Sequence, residues 1–289
     1  MKVIAILLCS VVLAWSVTAV AQSPVKFPES AENFRRPPNL KQTLLFRPRD
    51  GAGPFPAVIL MHTCGGVGAH IYDWAERLTR AGYVALVLDV LSPRGIKNNC
   101  NKPAWQADVS LDAANGDAIA AIAHLRKLPI IDADRIGIAG FSFGAIAAIK
   151  LGNEAYRNRL GGAPGLKAIA FFYGSCATPS PNAQARAAYE WPADIGIPVM
   201  AFLGGIDNDT PAQPCAEAAE RLRVAGAPVA YKIYPETTHA FDEPAYGTIG
   251  RNIMAGTRGP FLYRYNPDAT EDAWREMKVL FDRELKGVK

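Results

Sequence analysis

The run Arg135 to Lys150, RIGIAGFSFGAIAAIK, constrains this chain more than any other stretch. A short apolar strand, Ile136 to Ala139, leads through G-x-S-x-G into an Ala-rich helix from Ala145 to Leu151. Reversing from strand to helix within so few residues brings the backbone close to itself, and a side chain at Gly140 or Gly144 would obstruct the turn. Ser142 then occupies the place of a nucleophile presented at a strand end. A βα turn with an incidental serine is the plainer interpretation, and the downstream residues test it.

A serine hydroxyl needs a base within hydrogen-bond reach and a carboxylate to orient that base. Where a nucleophile sits on such a turn, the partners follow in the order Ser, Asp or Glu, His. One histidine, His239 in YPETTHAFD, lies after Ser142. Its ordinary pKa suits proton exchange near neutral pH. Asp207 in LGGIDNDTP falls between the two as the expected acid, and Asp209 competes with it. We favour Asp207, because Asp209 directly precedes Thr210-Pro211 and looks placed to cap the next helix. The oxyanion of the tetrahedral intermediate needs two N–H donors; Phe143 offers one, and Cys64 in His62-Thr63-Cys64-Gly65-Gly66 is the candidate for the other.

Apolar strands near Thr43 to Phe46, Ala57 to Met61, Tyr83 to Leu88, Lys167 to Phe172, Pro198 to Leu203 and Val229 to Tyr234 alternate with helices near Ile71 to Ala81, Ala104 to Leu128 and Ala212 to Ala225. A final helix is expected near Glu271 to Leu285. This order predicts a mostly parallel sheet covered on both faces, with ligands bound beyond the carboxyl ends of the strands. On that rim Trp105, Tyr173, Trp191 and Phe241 are candidates to line an apolar pocket, and Arg94 to meet a negatively charged substrate group. With 49% apolar residues, no repeat and no break in composition, residues 40–289 read as one domain.

Lys2, the apolar run Val3 to Val20 and Ala19-Val20-Ala21 have the layout of a secretory signal peptide over residues 1–21, and proline-rich residues 22–39 read as an extended arm. The mature chain is then expected to be periplasmic or secreted and free of the membrane. Without Lys2 the net charge falls from +4 to +3, and the basic residues are scattered, which argues against nucleic acid as a partner. Cys64, Cys100, Cys176 and Cys215 remain, an even number in a compartment where disulfides persist. Four cysteines allow three pairings. Position along the expected fold favours Cys64 with Cys100 and Cys176 with Cys215. No C-x-x-C or adjoining His suggests a metal.

Taken in order, MHTCGG, LDVLSPRG, DRIGIAGFSFGA, LGGIDNDTP and YPETTHAFD resemble the α/β-hydrolase superfamily, and within it the dienelactone hydrolase family, from about Thr43 to the C-terminus. The resemblance implies the α/β-hydrolase fold and hydrolysis of a small-molecule ester or lactone through an acyl-enzyme, with no metal or organic cofactor. It carries over Ser142, Asp207 and His239. Two residues depart from the family pattern: well-known members use cysteine where this chain has Ser142, and their acidic residue in the oxyanion loop corresponds to Thr63. The substrate is therefore not carried over. A peptidase or polyester hydrolase on the same fold is the nearest alternative, and a binding module with a vestigial triad is the alternative from another class.

Overall fold

The computed structural model describes residues 22–24, 43–178, 180–255 and 258–288. The expected signal peptide at 1–21 lies outside them, as does the arm beyond residue 24. In chain order the strands are β1 (Gln22–Pro24), β2 (Leu44–Phe46), β3 (Phe55–Met61), β4 (Val84–Leu88), β5 (Ile131–Phe141), β6 (Leu166–Phe172), β7 (Val199–Gly204), β8 (Val229–Tyr234), β9 (Arg251–Ala255) and β10 (Arg258–Tyr263). The helices are α1 (Ala69–Arg80), α2 (Leu111–Leu125), α3 (Phe143–Lys150), α4 (Glu154–Arg159), α5 (Ala183–Tyr189), α6 (Ala212–Val224) and α7 (Pro267–Phe281).

Eight strands form one sheet in the order 1-2-4-3-5-6-7-8. Strands β3 to β8 are parallel, β2 runs antiparallel to β4, and β1 antiparallel to β2. The strand sequences explain why both faces are covered. Ala57, Ile59 and Met61 of β3 join one apolar layer beneath α2, α3 and α6, while Val58 and Leu60 join the other beneath α1 and α7. A strand buried on both sides must be apolar at every position, as β3 and β4 are. The mostly parallel, doubly covered sheet expected from the order of elements is therefore the observed one.

Several boundaries differ from expectation for identifiable reasons. The helix expected over Ala104 to Leu128 is shorter, because Asn99 pairs with the backbone of Val109 in both directions (3.0 and 3.2 Å) and holds that segment extended. Ser110 then caps α2 by accepting from the Ala113 amide at 3.1 Å, leaving a 3-10 turn at Ala104–Gln106. The last helix starts earlier than expected, since Asn266 accepts from the Ala269 amide with Pro267 in the first turn. Short α4 and α5 and the separate hairpin β9–β10 were not expected at all.

The turn after β5 brings backbones of neighbouring elements into close approach. A Cβ at Gly140 would stand 2.5 Å from the Gly144 carbonyl oxygen, and one at Gly144 only 2.2 Å from the carbonyl oxygen of Met61. Both obstacles are backbone, which has nowhere to move. Gly144→Ala is expected to destabilise the protein by about 3 kcal/mol or more, measurable as a lowered denaturant midpoint; an unchanged midpoint would show that the turn has slack.

Candidate active site

Ser142 follows β5 directly, with φ 52° and ψ −112°. Only Tyr173 (φ 38°) and Ala240 (φ 47°) share positive φ among described non-glycine residues. Tyr173 follows β6, and Ala240 follows His239. Such backbone is costly for residues with a Cβ and persists where surrounding bonds fix it. Here the Ser142 amide donates to the Phe172 carbonyl at 2.9 Å, the Tyr173 amide to Phe202 at 2.8 Å, and the Gly144 amide to His62 at 3.1 Å.

Three loops at the carboxyl ends of β5, β7 and β8 converge. His239 Nε2 lies 3.0 Å from Ser142 Oγ, and His239 Nδ1 lies 2.8 Å from Asp207 Oδ2. All three residues are buried. Asp207 is immobilised by its own turn: the amides of Asp209 and Thr210 donate to Oδ1 at 2.9 and 2.8 Å. Its Oδ2 faces the imidazole, so the proton belongs on Nδ1 and the lone pair of Nε2 points at the serine. The Thr210 hydroxyl adds a fourth member, 2.8 Å from Asp207 Oδ2, 2.9 Å from the Tyr173 carbonyl oxygen and 3.0 Å from His239 Nδ1. Sequence reasoning missed Thr210, although D-x-D-T after a strand is a turn signature in which the first Asp accepts from the amides that follow.

Asp209 does not cap α6, as the sequence suggested; α6 starts after Pro211 with no side-chain cap. Its carboxylate instead accepts from the Tyr263 hydroxyl at 2.6 Å and from Arg258 at 3.1 Å, both on β10. Asn208 accepts from the Leu262 amide at 3.1 Å, so Asn208 and Asp209 hold the hairpin while Asp207 faces the histidine. The Tyr263 ring lies against His239 with centroids 4.9 Å apart.

A cavity of about 360 Å³ opens at Ser142. Phe143, Ile146, Ala104 and Tyr189 supply apolar wall, while Asp209 and Arg258 add charged groups. Phe143 and Cys64 also line it, and neither backbone amide donates to another group among the described residues. Both disulfides fasten its walls. Cys64 is bonded to Cys100, with both cysteines on the cavity, and the Asn99 amide donates to the Cys64 carbonyl at 2.8 Å. Cys176 is bonded to Cys215 of α6, holding the segment whose Ser175, Ala177 and Thr178 face the cavity.

The other expected pocket residues lie elsewhere. Arg94 does not reach the cavity: its guanidinium forms a two-point pair with buried Asp117 of α2, at 2.6 and 3.1 Å, and donates to the Val90 carbonyl at 2.8 Å. A buried carboxylate demands such a partner, and the arginine is consumed by it. Trp105 packs against the apolar layer that α2, α3 and α6 cover, and it is neighbouring Ala104 that lines the cavity. Tyr173 is buried beneath the site, its ring edge-on to His239 at 4.9 Å. Trp191 packs against Phe171, and Phe241 against Tyr173.

A sheet of this order, with a G-x-S-x-G turn after its fifth strand and a buried His and Asp on the following loops, defines an α/β-hydrolase. The chain belongs to the dienelactone hydrolase family, whose sequence model matches residues 42–285, and this makes it a hydrolase of esters or lactones. An Escherichia coli O157:H7 protein provisionally named carboxymethylenebutenolidase is 25% identical over 239 residues, covering 81% of this chain and 79% of its own. A Bradyrhizobium protein provisionally named 2-oxo-3-(5-oxofuran-2-ylidene)propanoate lactonase is 26% identical over 239 residues, covering 81% of this chain and 86% of its own. Among solved structures, a dienelactone hydrolase from Anabaena variabilis superposes with a TM-score of 0.56 at 18% identity, covering 84% of this chain and 91% of that one.

Burial would lower the pKa of His239, but Asp207, Asp209 and Asp242 outweigh it and raise it above the ordinary 6.5. Were His239 to act as a base it would have to be neutral to accept a proton, and activity would be lost as pH falls through that raised value. The acid limb of a kcat/KM profile is therefore expected above pH 6.5, and a limb below it would contradict the electrostatics of the site.

Proposed function

We propose that the protein is a serine hydrolase that opens small esters or lactones through an acyl-enzyme on Ser142, and that it works in an oxidising compartment outside the cytoplasm. The observation that carries this reading is the unbroken chain Ser142 Oγ to His239 Nε2 at 3.0 Å and His239 Nδ1 to Asp207 Oδ2 at 2.8 Å. Ser142 Oγ attacks the carbonyl carbon while His239 Nε2 takes its proton, and Asp207 stabilises the imidazolium. The free amides of Phe143 and Cys64 receive the oxyanion. Collapse expels the alcohol, which takes the proton from His239; in a lactone it stays tethered to the acyl group. Water, activated by the same histidine, then attacks the acyl-enzyme and releases the acid.

A cavity of about 360 Å³ favours a compact substrate, in keeping with the lactones in the relatives' names. Two disulfides support an exported protein, and among the described residues no helix is long and apolar enough to cross a membrane.

On a short-chain aryl ester, Ser142→Ala is expected to lower kcat by about 10³-fold or more, and Asp207→Asn by up to about 10⁴-fold. Asp209→Asn should cost about tenfold or less, because Asp209 faces the hairpin and not Nδ1. Equal turnover by Ser142→Ala and the unaltered protein would eliminate the serine mechanism.

A further inference from the structure

The loop that presents His239 continues through Ala240 and Phe241 to two acidic residues, and both are bound by the first turns of α1. His70 and Trp74 stand four residues apart on that helix, which places them on one face. Trp74 Nε1 donates to Asp242 Oδ2 at 2.7 Å, and His70 Nδ1 is hydrogen-bonded to Glu243 Oε2. The other Asp242 oxygen, Oδ1, accepts from the Tyr173 hydroxyl at 2.7 Å. Trp74, Tyr173 and Asp242 are each at most 3% exposed. His70 Nε2 meets no polar partner among the described residues, so Glu243 is the ring's one polar anchor. Space around this contact is used up: a Cβ on Gly68 would come within 2.8 Å of the His70 ring and 3.1 Å of Glu243 Oε2.

We propose that Asp242 and Glu243 are positioning residues: they dock the His239 loop onto α1 and thereby set where the imidazole meets Ser142. Ala240, between the histidine and this pair, holds φ 47°, a conformation that persists only while both sides of it are tethered. Asp242 also reaches the imidazole from behind, since the Tyr173 ring that its carboxylate holds lies edge-on to His239 at 4.9 Å. The groups facing His239 are then Ser142, Asp207 and Thr210 around its nitrogens, the rings of Tyr173 and Tyr263 against its faces and edge, and Asp209 and Asp242 beyond those rings. Asp242 is among the charges that raise the basicity of His239.

This proposal rests on the Ser142–His239–Asp207 reading, and the experiment separates the two. Steady-state kinetics on an aryl ester, the rate of Ser142 labelling by a fluorophosphonate, and thermal melts are measured for Ser142→Ala, Glu243→Ala, Glu243→Gln, Asp242→Asn and Trp74→Phe. Glu243→Ala should lower kcat and the labelling rate together by about 10- to 100-fold with KM within about twofold. Glu243→Gln retains an acceptor for His70 and should recover most of the loss. Asp242→Asn should move the acid limb of kcat/KM down by roughly 0.5 pH unit, a shift that mere loosening would not produce. Trp74→Phe removes one donor to Asp242 and should lower kcat by about tenfold, which keeps the test open if Asp242→Asn fails to fold. An inactive Ser142→Ala beside Glu243→Ala and Trp74→Phe with unchanged kcat would overturn the anchoring alone. An active Ser142→Ala would overturn the reading beneath it.

Discussion

Everything at the site depends on one contact between backbones, the approach of Gly144 to the end of β3. Its amide donates to the His62 carbonyl at 3.1 Å, and its missing side chain lets α3 start directly against the sheet. That start places Phe143, whose amide is unpaired among the described residues, on the cavity and forces Ser142 into positive φ. A looser turn would place the hydroxyl somewhere among several positions instead of one, and a hydrogen bond of 3.0 Å to the imidazole tolerates little such spread. The cost of the strained serine is met by hydrogen bonds on either side of it, not by the residue itself.

The second half of the site is assembled differently. Where Ser142 is placed by steric exclusion, His239 is placed by attachment. Its imidazole is held by Asp207 and Thr210, its flanks by the rings of Tyr173 and Tyr263, and the loop after it by α1. The loops that wall the cavity are fastened covalently by two disulfides. Long loops between parallel strands lose much entropy on ordering, and cross-links of this kind remove part of that loss from the unfolded chain.

Much of this was legible in the sequence, and the reason lies in how local each signal is. The G-x-S-x-G turn announces itself within five residues because both glycines are required there for a steric reason, with the serine between them. The strands of the buried sheet read as continuous apolar runs, and the order Ser, Asp, His needed no distances. Arg94 went wrong because the partner that claims it, Asp117, lies on a helix elsewhere in sequence. Asp209 was misjudged because Tyr263 and Arg258 sit in a hairpin with no strong strand signal, interrupted by Gly259-Pro260. Asp242 and Glu243 gave no sign at all, since their partners His70 and Trp74 lie some 170 positions away (separations of 173 and 168).

The β9–β10 hairpin shapes one side of the cavity through Arg258, and through Tyr263 it lies against the imidazole, with Asn208 and Asp209 binding it next to the carboxylate that orients that ring. The cavity wall and the imidazole therefore share one mechanical support. In evolutionary terms, drift in this hairpin cannot reshape the wall alone: each remodelling also disturbs the setting of the imidazole. On the Lys102–Ala104 side, where Lys102 pairs with Asp108 and the Ala104 amide donates to the Tyr189 hydroxyl, the wall can change shape without that coupling.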